Sequence, residues 1–170
     1  MHASNEIPSD AFIEGFLYEL SNRAFAMRVA ERLSKRLKGE KQEPFWLAYL
    51  RLEQLNAPYY RAAALGFGLN FRAGWWIEIK AWAISLVPRS LMKPALESAH
   101  SKTVEYVGEL RELRRIGPAS SQDFLSYMVA QEELQVEMMQ LALRGEYAKL
   151  VRRVDGFIRT YNGGPFFPEK

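Results

Sequence analysis

Along most of the chain, apolar positions recur at spacings of three and four, the period of an α-helix. From Asp10 to Lys38, Phe12, Phe16, Leu20, Ala24 and Met27 fall on one face. Ser9 or Asp10 can cap this helix after Pro8, and Gly39 can end it. A second helix is expected from Glu43 to about Gly66, with Pro44 in the first turn, where its missing N–H costs nothing. Pro58 lies inside it and predicts a kink or a break. A third helix from about Ser90 to Ile116 is stopped by Gly117-Pro118. The fourth starts at the capping cluster Ser120-Ser121-Gln122-Asp123 and runs to about Tyr161, with a bend expected at Gly145.

The connections around 39–44 and 117–121 are short, so each flanking pair should be antiparallel neighbours. The stretch from Gly66 to Arg89 is long and carries a short extra helix at Trp75–Val87. Short, long, short is the connection pattern of a four-helix bundle with one long crossover. The expectation is a single all-α domain over residues 1–170, with flexible ends at about 1–8 and 162–170.

A helical wheel, at about 100° per residue, separates inward from outward polar residues. On the second helix Trp46, Tyr49, Leu52, Tyr60 and Ala64 define the apolar stripe. Glu53 and Asn56 fall inside it, and Arg51, Gln54 and Arg61 fall outside. On the fourth the stripe is Leu125, Met128, Met139, Leu143, Leu150 and Phe157, with Glu132 at its centre and Gln135 within it. Each of these helices thus pairs an inward Glu with an inward amide three residues on, close enough to serve one site. Unpaired carboxylates in a core are costly, so Glu53 and Glu132 must be paired, protonated or metal-bound. On the first helix Arg23 lies close to the stripe and Glu19 at its edge. The third helix offers Leu96, Ala99, Thr103, Val107 and Leu110 as its stripe, with His100 at the margin and Glu105, Glu109 and Glu112 on the opposite face.

These residues resemble the ferritin-like di-iron carboxylate proteins. Such bundles carry Glu-x-x-His on each of two helices and a single Glu on each of the others. LEQLNAPYY around Glu53 is similar to the first motif, with Asn56 in the histidine position. EELQVEMMQLAL around Glu132 is similar to the second, with Gln135 there. The resemblance spans the four helices and implies a ferritin-like bundle of the oxidoreductase lineage, with iron or manganese as cofactor and dioxygen activation as chemistry. Glu53 and Glu132 would anchor the metal, completed by Asn56, Gln135, Glu19 or His100. Both motif histidines are replaced, so the implied centre is a degenerate one. A second reading stays open beside it. An inward Arg23 could neutralise both carboxylates through bidentate bonds and would repel a divalent ion. The chain would then be a non-enzymatic helical protein that binds a small molecule or a partner.

Composition narrows the field from the other side. The chain has 170 residues, 48% of them hydrophobic and 25% charged, the balance of an ordinary globular domain. It has no cysteine, which excludes disulfides, thiolate metal sites and cysteine nucleophiles. A net charge of +3 gives no clustered basic stripe and does not point to nucleic acid. No phosphate-binding loop or nucleophile elbow occurs, and Gly66-Phe67-Gly68 follows no strand. The first ten residues carry no basic and apolar leader, so the expected location is cytoplasmic. Around Trp75–Val87 the chain is apolar nearly all round. It either packs on the bundle, forms the interface of a homodimer, or docks on a membrane surface with Arg72 and Lys80 near the headgroups.

Overall fold

The computed structural model describes residues 7–163. Most of the expected flexible ends, 1–6 and 164–170, lie outside the described residues. The protein is all-α. Its helices are α1 (Asp10–Arg36), α2 (Glu43–Gly66), α3 (Trp75–Ser85), α4 (Met92–Ile116), α5 (Gln122–Leu143) and α6 (Tyr147–Tyr161), with single 3-10 turns at Arg89–Leu91 and Ala119–Ser121. No helix among the described residues is long and apolar enough to cross a membrane.

Local chemistry sets the boundaries. The Ser9 hydroxyl accepts a hydrogen bond from the Phe12 N–H at 3.2 Å, which starts α1. Pro44 sits in the first turn of α2, as expected. Pro58 does not break α2, which continues to Gly66. Buried Asn56 and Tyr60 hold the helix on either side of it, so the loss of one backbone hydrogen bond is absorbed. The expected fourth helix, by contrast, is two helices. Gly145 adopts φ +75°, the left-handed region open to glycine. The Gly145 N–H donates to the Ala142 carbonyl at 3.0 Å, and the Glu146 N–H to that of Leu141 at 2.9 Å. That pair of bonds is a Schellman cap, which ends α5 rather than bending it.

Side-chain contacts fix the helix directions. Arg23 meets Glu53 while Glu19 meets Tyr60, so α1 and α2 are antiparallel. Tyr49 reaches Gln135 while Tyr127 reaches Asn56, so α2 and α5 are antiparallel. Gln122 bonds the Arg114 carbonyl while Arg111 pairs with Glu133, so α4 and α5 are antiparallel. Gly15 lies against Leu113 while Glu19 meets Tyr106, which sets α4 antiparallel to α1. It follows that α2 and α4 run in the same direction, and the segment carrying α3 returns the chain between them.

Two apolar clusters make up most of the core. One gathers Phe12, Phe16, Tyr60, Phe124, Leu125 and Met128. The other gathers Ala30, Phe45, Leu52, Met138, Leu150 and Val154. Fully burying one of these large side chains stabilises the fold by about 1.5–3 kcal/mol. A third, smaller cluster joins α1 to α3 through Val29, Leu33, Leu37 and Ala81. Between the two main clusters, on α1, α2 and α5, lies a layer of buried polar side chains.

Candidate functional site

That layer is built around one guanidinium. Arg23 Nη1 donates to Glu53 Oε1 at 2.7 Å and to Gln131 Oε1 at 3.2 Å. Its Nη2 lies 2.9 Å from Glu132 Oε2. Its Nε is 3.1 Å from Glu19 Oε1 but is not aligned for a hydrogen bond, so that contact is electrostatic. Glu19, Glu53 and Glu132 are buried at 0, 1 and 3% exposure, and Arg23 at 8%. One cation therefore faces three carboxylates in a place water scarcely reaches.

Neutral donors complete the shell. The Tyr60 and Tyr106 hydroxyls donate to the two oxygens of Glu19 at 2.7 and 2.6 Å. Gln135 Nε2 donates to Glu53 Oε1 at 3.1 Å, and Asn56 Nδ2 to Glu53 Oε2 at 3.4 Å. Gln131 Nε2 donates to Glu132 Oε2 at 3.0 Å. The Gln131 carbonyl also accepts from Asn56 at 3.1 Å and from Gln135 at 2.8 Å. Tyr49 and Tyr127 close the periphery by donating to Gln135 and Asn56 at 2.9 and 2.5 Å.

The electrostatics follow from burial. Desolvation pushes the Glu132 carboxyl up to about 7; Glu19 and Glu53 add to the rise, and Arg23 and the Gln131 hydrogen bond oppose it. Glu53 is also raised, by desolvation first, against the pull of Arg23. Arg23 is held well above its ordinary value: burial works against its charge, and the three carboxylates outweigh burial. Burial raises the phenols of Tyr49, Tyr60, Tyr106 and Tyr127, so they remain hydrogen-bond donors. Three carboxylates share one guanidinium, and burial favours the uncharged forms of Glu53 and Glu132.

Of the residues expected at the site, Glu53, Asn56, Glu132, Gln135 and Glu19 come together around Arg23. No hydrogen bond or ion pair joins His100 to them; its Nε2 is buried without a hydrogen-bond partner. The iron or manganese implied by the resemblance does not fit these side chains. The guanidinium stands among the three carboxylates, and the Asn56, Gln131 and Gln135 amides aim N–H groups at oxygens that a metal would need as ligands. Among the described residues no group of three or more His, Asp or Glu is placed to hold a metal ion.

Gln131, Tyr106 and Tyr127 belong to the cluster yet fall outside the wheel reading. Gln131 is fully buried and touches five of its members, Arg23, Asn56, Tyr60, Glu132 and Gln135. Its signal is the i, i+4 series Tyr127, Gln131, Gln135 along a second face of α5.

The cluster is not sealed. A cavity of about 520 Å³ lies between α1, α2 and residues 69–73. Leu20, Met27, Ala57, Leu69 and Phe71 wall it, and Arg23, Glu53, Asn56 and Tyr60 reach its lining. A mainly apolar chamber with a few convergent polar groups is the form of a small-molecule pocket. Comparison of the chain with models of protein families, with curated proteins and with solved structures finds no match in any of the three.

Proposed function

We propose that this chain is a small-molecule-binding helical bundle of the ferritin-like kind, in which a guanidinium stands where di-metal relatives hold metal. The observation that carries the reading is the position of Arg23. It bonds Glu53 and Glu132, the two carboxylates of the metal-site resemblance, and at the same time lines the cavity between α1 and α2. The helix directions support the bundle: α2 and α4 run the same way, which requires a crossover between the two antiparallel pairs. The work of the protein lies in the pocket, and the charged cluster supplies its polar floor.

Two measurements test this. Protein purified without chelators and then incubated with ferrous or manganous ion should retain far less than one metal per chain. Near-stoichiometric metal that is lost in Glu132→Gln overturns the reading. Anilinonaphthalene sulfonate, an apolar body with one anionic group, should bind saturably with increased fluorescence. Ala24→Phe projects a ring into the cavity and should abolish that binding while leaving helicity intact. Dye binding that survives Ala24→Phe would place the ligand site elsewhere.

A further inference from the structure

The outward face of α3 is the most apolar exposed surface among the described residues. Trp75, Trp76 and Trp82 are 65, 58 and 54% exposed. Ile79, Ile84 and Leu86 are exposed beside them. Trp75 and Trp76 stack on each other with ring centroids 4.4 Å apart. Only the opposite face is used by the fold: Ala81 and Ser85 are buried against α1, and Arg36 donates to the Ser85 and Val87 carbonyls at the helix end. Exposed tryptophans in such numbers are not needed to hold α3 in place.

The charges around this face have one sign. Between Glu53 and Glu97 the sequence contains a single acid, Glu78, against Arg61, Arg72, Lys80, Arg89 and Lys93. Glu78 turns toward α1, where Arg28 and Arg32 hold it at 2.6 and 3.3 Å. Arg89 pairs with Glu40. Lys80 is the charged residue left on the outward arc, and Arg72, exposed in the irregular segment before α3, also lines the cavity beside α1 and α2. Two copies of such a face would bring like charges together. Tryptophan with basic neighbours on a convex, apolar surface suits the boundary between lipid headgroups and acyl chains.

We propose that α3 is a docking helix for an anionic lipid surface, with Trp75, Trp76 and Trp82 entering the acyl boundary and Arg72 and Lys80 meeting the headgroup charge. The test is flotation of the full chain with vesicles of phosphatidylcholine alone and with about one third phosphatidylglycerol. The protein should float with the anionic vesicles, weakly or not at all with the neutral ones, and its tryptophan emission should shift to the blue. A basic residue near an anionic surface contributes about fivefold in partitioning. Lys80→Glu should therefore lower it by at least that much, and Trp76→Glu should abolish it, both at unchanged helicity. Failure of the wild-type chain to bind anionic vesicles overturns the proposal. So does undiminished binding by Trp76→Glu. A concentration-dependent dimer lost in Trp76→Glu, without vesicle binding, would assign the face to a second copy instead. Neither variant alters the pocket lining, because Trp76 and Lys80 are not part of it, so this test and that of the pocket fail separately.

Discussion

Replacing Arg23 by Leu tests the organisation of the polar layer most directly. The substitution roughly conserves apolar bulk and removes the one cation that faces Glu19, Glu53 and Glu132. Breaking a buried ion pair from one side typically costs about 3–5 kcal/mol. A second route gives a similar figure. A stranded carboxyl escapes by taking a proton, and holding a group of ordinary pKa near 4.5 protonated at pH 7.5 costs about 4 kcal/mol. Glu132 is already raised to about 7, so most of the new cost falls on Glu53, whose Oε1 loses its 2.7 Å partner. At pH 5.5 the proton is cheaper, and the same route gives about 1–2 kcal/mol. Urea unfolding followed by tryptophan fluorescence and circular dichroism should therefore show Arg23→Leu destabilised by about 4 kcal/mol at pH 7.5 and by much less at pH 5.5. Adding Glu53→Gln to Arg23→Leu should recover a large part of the loss, since an amide needs no counter-charge. A loss below about 1 kcal/mol at pH 7.5, or an equal loss at both pH values, would refute the account.

Two further predictions follow from the same geometry. Glu132 and Glu53 are raised when folded, so folding takes up protons at these positions. The contribution of Glu132 is fully present below the unfolded value near 4.5 and is lost as pH rises through about 7, and that of Glu53 runs in the same direction; the urea midpoint should fall across that range, and Glu132→Gln should flatten the fall. Gly117, between α4 and α5, faces Leu125 and the Phe12 ring of α1. A Cβ there would lie 2.3 Å from Leu125 Cδ1 and 2.8 Å from Phe12 Cε2, so Gly117→Ala should cost about 1–3 kcal/mol in thermal unfolding, and an unchanged melting temperature would show that the contact yields.

The inward carboxylates and amides were legible because α1 and α2 each bury essentially one stripe. Helical period then places Glu53 and Asn56 on the stripe of α2, and Arg23 close to that of α1, without knowledge of the fold. On α5 the wheel also finds Glu132 and Gln135, but it loses information beyond them, because this helix packs against α2, α4 and α6 and is buried over most of its circumference. Gln131 sits there between two buried faces and does not stand out from either. Tyr49 and Tyr60 read as stripe aromatics and Tyr106 and Tyr127 lie off the stripes, since nothing in periodicity reveals where a phenol hydroxyl ends. His100 sits at a margin where a rotation of a few tens of degrees decides between site and surface. The break at Gly145 depends on the glycine adopting positive φ, which a spacing pattern does not encode. The fate of α3 was open for a related reason. A helix apolar on all sides gives no indication of which side the fold will cover.

The polar layer also governs how the helices find their alignment. Two apolar clusters made of Phe, Leu, Met and Ala tolerate sliding, because one hydrocarbon contact replaces another at little cost. A slide of α5 past α2 by one turn, about 5.4 Å, would carry Glu132 and Gln131 away from Arg23 and press the guanidinium onto methylene groups. Every offset but one leaves charge against hydrocarbon. The layer thus acts as a ruler: it adds little to cohesion that an apolar layer could not supply, but it marks the single longitudinal position at which α1, α2 and α5 can lock.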